Sequence, residues 1–194
     1  MNTPRFREAL LFAAELHAAQ TRKGSGAPYL SHLLAVTSLV MEHGGDEDET
    51  IAALLHDAIE DQGGDAARQE IRRRFGPRVT QIVDDCTDTD LEPKPPWRAR
   101  KEAYLAHLPH ASSSARLVSA ADKLHNARTI VSDYRHLGEA VWQRFKGGRD
   151  GTLWYYRELV RIYRQVGTSP LVEELALVVE ELCRCTATKS DDQP

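Results

Sequence analysis

The fold of this chain is decided by Leu54-Leu55-His56-Asp57-Ala58-Ile59-Glu60-Asp61. Its polar residues can all bind a metal or move protons, and the residues around them are apolar. In a helix, side chains three and four positions apart share a face, so His56 is expected near Glu60 on a buried helix. Buried charges are expensive unless they pair or bind a metal. The stretch therefore indicates a site; a chance His-Asp pair on a solvated helix face is the alternative.

Turn and capping signals on both sides of this stretch predict a succession of helices. Asp46 and Glu49 resemble a capping box that opens the central helix, and Gly63-Gly64 closes it after Asp61. Ser31 is expected to cap the preceding helix. The predicted helices cover about 4–22, 31–42, 46–61, 65–75, 77–86, 97–108, 114–135, 136–145 and 153–166, with a last one from 170. No alternation typical of strands is visible, so the predicted fold class is all-α, a single helical bundle.

Length and composition fit one globular domain. The chain has 194 residues, of which 41% are hydrophobic and 28% charged, and this is ordinary for a soluble domain. We expect the domain to span residues 1–186 and a disordered tail to span 187–194. The formal net charge of −4 gives no basic field for duplex nucleic acid.

The apolar runs and the cysteines of the chain bear on membrane association and on the cellular compartment. No apolar run reaches the length of a membrane span, and no signal-peptide pattern is present, so no membrane partner is predicted. Cys86, Cys183 and Cys185 are an odd number of cysteines, and Cys183-x-Cys185 alone is a poor zinc signal. Free thiols in the cytoplasm are the expectation, and an oligomer is compatible with the sequence.

Three separate places combine into a candidate metal site. His32 opens one predicted helix, His56-Asp57 lies in the central one, and Asp122 lies in Ser119-Ala120-Ala121-Asp122-Lys123-Leu124-His125-Asn126. Imidazoles and carboxylates together suit Mn²⁺, Fe²⁺ or Zn²⁺. Such a cation lowers the pKa of a water or polarises a phosphoryl oxygen. Glu60 and Asp61, one turn further along, could orient or deprotonate that water.

The order His32, His56-Asp57, Asp122 resembles the HD metal-dependent phosphohydrolase superfamily. A fuller pattern is narrower: His56-Asp57-Ala58-Ile59-Glu60-Asp61, followed by Ala121-Asp122-Lys123-Leu124-His125-Asn126-Ala127-Arg128. It is similar to the hydrolase domain of the RelA/SpoT alarmone enzymes, and most similar to their stand-alone small hydrolases, including the animal Mesh1 type. The resemblance runs from about Phe6 to Val166.

The resemblance implies a single HD-domain helical bundle and a nucleotide substrate. It implies one divalent metal, commonly Mn²⁺, with Fe²⁺ or Zn²⁺ as alternatives, and removal of the 3′-pyrophosphate from ppGpp or pppGpp. By motif matching the metal ligands would be His32, His56, Asp57 and Asp122. Glu60 and Asp61 would be the catalytic residues that position and activate the attacking water.

The resemblance also implies substrate contacts. Arg22-Lys23 matches the family's basic pair near the nucleotide, and Asn126 matches an asparagine that contacts base or ribose. Lys123 could neutralise phosphate or hold a carboxylate. Plainer alternatives exist: Arg22 and Lys23 suit a helix end because of the macrodipole, and Asn126 could cap a local backbone group.

Several segments bear on which alarmone the chain would hydrolyse, and they do not decide between a guanine and an adenine nucleotide. The chain ends at Pro194, so we expect hydrolysis without alarmone synthesis. The loop Thr87–Pro96 differs from the short Thr-Lys stretch of the long enzymes and carries Lys94, so adenine alarmones such as ppApp remain alternatives. Its acidic residues could also bind a second cation, although a solvated loop is the plainer interpretation. The aromatic residues of Trp154–Arg157 could stack on a purine or be core, and Phe145–Arg149 could bring cations to the same side.

Three other functions are compatible with parts of the sequence. A broader nucleotide phosphohydrolase, such as a 5′-nucleotidase or an NADPH 2′-phosphatase, need not carry both Glu60 and Asp61. A non-catalytic alarmone sensor would not need them either. A structural helical protein without a ligand would bind no metal. The intact acidic and metal-binding set therefore favours the hydrolase.

Overall fold

A computed structural model describes residues 3–91 and 93–187. Within these ranges there is no β-strand, only an isolated bridge between Thr21 and Pro28. The α-helices are α1 Pro4–Leu16, α2 Leu30–Glu42, α3 Glu47–Leu55, α4 Ala58–Asp61, α5 Gly64–Phe75, α6 Pro77–Cys86, α7 Trp97–His107, α8 Ser113–Leu137, α9 Gly148–Val166 and α10 Pro170–Ala187. Two 3-10 helices, Leu108–His110 and Gly138–Arg144, join them. The all-α prediction is confirmed.

The helices form two compact units. The first contains the described residues up to Pro96 together with His110–Asp122, and the second contains Trp97–Pro109 and the described residues from Lys123 onward. Helix α8 contributes its start to the first unit and its remainder to the second. The predicted disordered tail, 187–194, lies outside the described residues except for Ala187, which ends α10.

Helix α3 is the centre of the first unit. Its residues from Thr50 to Leu55 are all buried, and α1, α2 and α6 pack against it. The predicted capping box is present: the Asp46 carboxylate accepts from the Glu49 N–H at 3.0 Å, and the Glu49 carboxylate accepts from the Asp46 N–H at 2.8 Å. Such a cap satisfies backbone donors that a helix start leaves open. The cap fixes the start of α3, and the burial of Thr50 to Leu55 fixes its C-terminal end in the core.

The first helix is shorter than expected. Thr3 caps it as the sequence suggests, accepting from the Phe6 N–H at 3.1 Å. However, α1 ends at Leu16, and the prediction of a helix to Arg22 was wrong. Backbone pairing explains the difference, because the Arg22 N–H donates to the Ala27 carbonyl at 2.8 Å and the Tyr29 N–H to the Gln20 carbonyl at 2.9 Å. This turn carries Arg22 and Lys23 away from a helix.

The central helix is interrupted at His56-Asp57, whereas the sequence predicted one continuous helix over 46–61. Helix α3 ends at Leu55 and α4 begins at Ala58. Asp57 has φ −100° and ψ 0°, in the sparsely populated region where active-site residues are often found. The His56 ring takes over part of the lost backbone bonding, since its Nδ1 lies 2.9 Å from the Ala53 carbonyl oxygen.

Two smaller expectations also need correction. Tyr29, not Ser31, is the N-cap residue of α2, and the Ser31 hydroxyl donates to the Pro28 carbonyl at 2.8 Å. The helix expected at 136–145 is the 3-10 helix Gly138–Arg144. In both places a backbone N–H bonds to the carbonyl three residues back, Ser31 to Pro28 at 3.0 Å and Phe145 to Trp142 at 3.1 Å.

Helix α9 organises the second unit. Helices α7 and α10 and the second 3-10 helix pack against it. Tyr155 and Tyr156 are each 5% exposed, so they are core residues of this unit. The Trp97 ring of α7 lies directly over Gly147, where a Cβ atom would come within 2.6 Å of the ring. Among the described residues no helix is both long and apolar enough to cross a membrane.

Candidate metal centre and its acidic neighbours

Four sequence-predicted ligands converge within the first unit. His32 comes from α2, His56 and Asp57 from the break between α3 and α4, and Asp122 from α8. The Nε2 atom of His32 lies 3.2 Å from Asp122 Oδ1 and 3.6 Å from Asp57 Oδ2. The Nε2 atom of His56 lies 3.0 Å from Asp57 Oδ2 and 3.6 Å from Asp122 Oδ1. Residues 90 positions apart in the chain thus meet at one point.

Burial makes the charges of this cluster interact strongly. The side chains of His32, His56 and Asp122 are 1%, 2% and 8% exposed, whereas that of Asp57 is 21% exposed. Burial alone would lower the pKa of His56, but the carboxylates of Asp57 and Asp122 raise it well above its usual value. Burial would raise the pKa of Asp57, but His56 and His32 hold it well below its usual value. The pocket therefore favours a positive charge beside its carboxylates.

The orientation of His56 suits a metal ligand. A carbonyl oxygen only accepts, so the Nδ1 atom that faces Ala53 carries the hydrogen. Nε2 then faces two carboxylate oxygens, so either a proton on Nε2, which the raised pKa favours, or a metal cation in its place satisfies these atoms. Atoms bound to one metal at about 2.0–2.2 Å lie about 3 Å or slightly more from each other. The spacing and the mixed nitrogen and oxygen donors fit a divalent metal.

Tyr29 supports the cluster and was missed from the sequence. Its hydroxyl donates to Asp57 Oδ2 at 2.6 Å. Burial and then the charge of Asp57 raise the pKa of Tyr29 well above its usual value, so it is a permanent donor. Outer hydrogen bonds of this kind orient ligating carboxylates. The only sequence signal was position, since Tyr29 precedes His32 by three residues and ends the glycine-containing turn.

Glu60 contacts the loop that follows α6. Its Oε1 atom lies 3.2 Å from Lys94 Nζ, and its Oε2 atom accepts from the Asp88 N–H at 3.3 Å. The same loop is tied to α5, because Arg68 donates to Asp90 at 2.6 Å. The segment Thr87–Pro96 therefore reaches one of the two predicted catalytic acids.

Asp61 lies one residue further and has a different neighbour. Its side chain is exposed, and Oδ2 accepts from the Gln20 amide nitrogen at 2.8 Å. Its backbone N–H donates to the Asp57 carbonyl at 3.0 Å. Asp61 is thus linked through the backbone to a predicted metal ligand and through its side chain to the turn after α1.

Two of the predicted substrate-binding residues, Arg22 and Lys123, lie near aromatic rings. The Arg22 guanidinium carbon lies 5.9 Å from the centre of the Tyr29 ring, and Lys23 is exposed in the turn beyond it. Lys123 and Asn126 follow Asp122 on α8 but belong to the second unit. The Lys123 ammonium lies 5.1 Å from the centre of the Tyr104 ring, a cation–π distance.

Comparison with known proteins identifies the family of this chain. A family model described as an HD domain matches residues 9–153. The chain belongs to the HD domain family. The metal cluster lies inside the matched range, and the resemblance predicted from the motifs is confirmed.

The relatives are alarmone enzymes by name. The chain is 41% identical over 126 residues to guanosine-3′,5′-bis(diphosphate) 3′-pyrophosphohydrolase MESH1 of Xenopus tropicalis, covering 63% of this chain and 68% of the relative. Its human counterpart is 38% identical over the same shares. The GTP pyrophosphokinase rsh of Brucella ovis is 36% identical over 67% of this chain, but only 17% of that protein is covered.

Solved structures agree with the fold. A metazoan ortholog of SpoT that hydrolyzes ppGpp superposes with a TM-score of 0.74 at 29% identity, covering 95% of this chain and 96% of that one. A Listeria monocytogenes protein superposes with a TM-score of 0.69 at 26% identity, covering 79% of this chain and 99% of that one.

Proposed function

We propose that this HD domain hydrolyses the 3′-pyrophosphate of an alarmone nucleotide, giving the 5′-nucleotide and pyrophosphate. The observation that carries the proposal is the convergence of His32, His56, Asp57 and Asp122. Glu60 and Asp61 follow Asp57 by three and four residues in the chain. The similarity to relatives named for this reaction supports it.

The four converging residues would hold one divalent metal, and we propose Mn²⁺. Tyr29 keeps Asp57 in place through its 2.6 Å hydrogen bond, and the Ala53 carbonyl keeps His56 in the tautomer that presents Nε2. When bound, the cation supplies Lewis acidity toward a phosphoryl oxygen and lowers the pKa of a water. Fe²⁺ and Zn²⁺ suit the same donors, so the metal is to be identified by assay.

Glu60 and Asp61 are proposed to orient the attacking water and accept its proton. Both belong to α4, which starts directly after Asp57, and a positioned carboxylate within hydrogen-bond reach is what this step requires. The water oxygen bonds to the phosphorus attached to the ribose 3′-oxygen, and the bond between that phosphorus and the 3′-oxygen breaks. One water proton goes to the carboxylate, and the leaving 3′-oxygen takes up a proton to become a hydroxyl.

Positive groups near the acids would neutralise the phosphates. Lys94 stands beside Glu60, so its cation is available to a diphosphate that reaches Glu60. Arg22, Lys23, Lys123 and Asn126 stay predicted substrate contacts, supported by their places in the motifs. The loop Thr87–Pro96 differs from that of the long enzymes, so guanine and adenine alarmones are both to be tested.

We also propose that residues 1–186 act as one HD domain in the cytoplasm. The family match from 9 to 153 extends over both compact units, and α8 runs without interruption from one to the other. All three cysteines are free thiols, as suits a reducing compartment. A monomer and an oligomer are both compatible with this proposal.

The test is turnover of ppGpp and ppApp side by side with Mn²⁺, Fe²⁺ or Zn²⁺, with products resolved by anion exchange. We expect pyrophosphate and the 5′-nucleotide in equal amounts. Orthophosphate instead would indicate a broader phosphohydrolase. Tight alarmone binding without turnover, in protein shown to contain metal, would indicate a sensor and would overturn the proposal.

A further inference from the structure

Gln20 sits at a junction between the end of α1 and the acidic residues of α4. Its backbone is held on both sides, because its N–H donates to the His17 carbonyl at 3.0 Å and its carbonyl accepts from the Tyr29 N–H at 2.9 Å. The side chain is half-buried, and it makes three polar contacts. No motif in the sequence drew attention to this residue.

The amide of Gln20 has only one orientation that satisfies its neighbours. Asp61 Oδ2 lies 2.8 Å from the amide nitrogen, and an ionised carboxylate can only accept. The amide oxygen of Gln20 therefore faces the other way, toward Gln62 Nε2 at 2.5 Å and His17 Nδ1 at 2.6 Å. Both of these atoms must donate.

His17 and Gln62 thus fix the orientation of the Gln20 amide, and this amide donates to Asp61. His17 is 2% exposed, and its ring stacks on Tyr29 with 5.4 Å between centroids and 19° between planes. Tyr29 is itself bonded to Asp57. His17 is therefore immobilised by packing, and Gln62 approaches the same amide oxygen from just beyond α4.

We propose that Gln20 is a positioning residue for Asp61. Its N–H occupies Oδ2 and fixes the plane of the carboxylate, so that Oδ1 is presented in one direction to a water. The turn after α1 thereby sets the geometry of an acid on α4. A carboxylate held by a preorganised donor needs no reorganisation when it acts. This inference rests on the proposed function, in which Asp61 acts on the attacking water.

The test uses Gln20→Glu in the full chain with Mn²⁺. Glutamate keeps the length of the side chain and an oxygen that accepts from His17 and Gln62, but it places a second carboxylate against Asp61. We expect kcat to fall about tenfold or more, as for loss of a hydrogen bond to a charged group, with KM changed less than about twofold. That pattern indicates an interaction made in the transition state. Gln69→Glu, on an exposed part of α5, controls for the added charge.

Two further measurements separate positioning from folding. The metal content of Gln20→Glu should match that of the wild type, since no predicted ligand is altered, and the variant should still be folded at the assay temperature in a thermal unfolding scan. In an Asp61→Ala background Gln20→Glu should cause no further loss of kcat, because the two residues act as one unit. A loss of metal, a rise in KM alone, an unchanged kcat or an additive loss in the double variant would each overturn the proposal.

Crystal structures of the two metal-loaded proteins distinguish this inference from the proposed function. If the wild type turns over no alarmone, the proposed function fails. The geometric claim is still decided: the Asp61 carboxylate should be rotated or displaced in Gln20→Glu, and an Asp61 that stays in place would overturn it.

Discussion

At the scale of single residues, Asp122 has the clearest role to test. Its side chain is 8% exposed, and its Oδ1 faces both imidazoles. We expect Asp122→Ala to lose metal and alarmone hydrolysis together, because two imidazoles and one carboxylate would remain. Metal content by mass spectrometry and turnover would be measured on the same samples. Asp150→Ala, at an exposed position of α9, is the control and should keep both.

Tyr29 allows a subtler test at the same scale. Tyr29→Phe keeps the ring stacked on His17 and removes only the hydroxyl that donates to Asp57. Loss of such an outer hydrogen bond weakens metal binding by roughly 10–100-fold in known sites, and we expect a similar rise in the Kd for Mn²⁺. Titration calorimetry measures it.

A matched control exists in the second unit. Tyr134 donates to Glu139 at the same distance of 2.6 Å, and neither residue belongs to the predicted site. Tyr134→Phe should leave the Kd for Mn²⁺ unchanged. An equal effect of both substitutions would mean that Tyr29 acts on stability and not on the ligand.

The four proposed ligands and the two proposed catalytic acids could be picked out from the sequence because their residue types are unusual in an apolar stretch. Tyr29 and Gln20 could not. Tyrosine and glutamine occur in many surroundings, and their importance arises only where the turn after α1 brings them to α4 and to the break before it. Contacts between residues 28 and 41 positions apart leave no periodic trace in the chain.

At the scale of elements, Arg68 joins three segments. It is bonded to Asp84 of α6 at 2.7 Å, to Asp90 of the following loop at 2.6 Å, and to Asp65 of its own helix. We expect Arg68→Ala to increase amide hydrogen exchange in residues 87–91 and to lower kcat, since the Asp88 N–H would no longer be held toward Glu60. Exchange measured by mass spectrometry and steady-state kinetics test this.

Arg73→Ala is the control for that substitution. Arg73 lies on the same helix, and its ion pair with Glu70 stays within that helix, so this pair does not hold the loop. Its removal should change neither exchange in the loop nor kcat. Unchanged exchange in Arg68→Ala would show that the loop is held by other contacts.

Gly147 tests the packing of α7 on α9. A Cβ atom there would lie 2.6 Å from the Trp97 ring, and overpacking of this kind typically costs about 1–3 kcal/mol. We expect Gly147→Ala to lower Tm. In a Trp97→Ala background the same substitution should cost less, because the ring it meets is absent. Equal losses in the two backgrounds would contradict the contact.

Helix ends were predictable where side chains cap them and not where the site interrupts them. Asp46 and Glu49 form the expected box, and Gly76-Pro77 separates α5 from α6 as expected. The break at His56-Asp57 was missed because neither residue is a helix breaker. It depends on the His56 ring bonding to Ala53 and on tertiary contacts of Asp57, which override local propensity.

At the scale of the molecule, metal should stabilise the fold. All four proposed ligands lie in the first unit, so a cation that binds only the folded state would raise the unfolding free energy of that unit by about 2.7 kcal/mol at a hundredfold excess over Kd. For a chain of this size that corresponds to a Tm rise of about 5–10 °C. Calorimetry with EDTA and then with Mn²⁺ measures the shift. Asp122→Ala should show none, and a scan with two transitions should shift only one.

The all-α class could be predicted because the helical pattern and the order of the motifs agree over most of the chain. The division into two units could not. The chain passes from one unit to the other after Pro96, after Pro109 and after Asp122. The first two passages follow prolines, but the third lies inside α8, where no glycine, proline or change of composition marks it. The two units are defined by contacts between residues that are distant in the chain, and the amino-acid composition does not reveal such contacts.

The spread of the ligands along the chain has a consequence for biosynthesis. A ribosome releases the chain from its N-terminus, so His32, His56 and Asp57 emerge while Asp122, which lies 65 positions after Asp57, has still to be made. Helix α3 and the bond from His56 to Ala53 are local and can form early, whereas Asp122 arrives only when α8 is made. The nascent protein would therefore complete the proposed metal site late, and metal binding would mark a chain whose first unit has been translated in full.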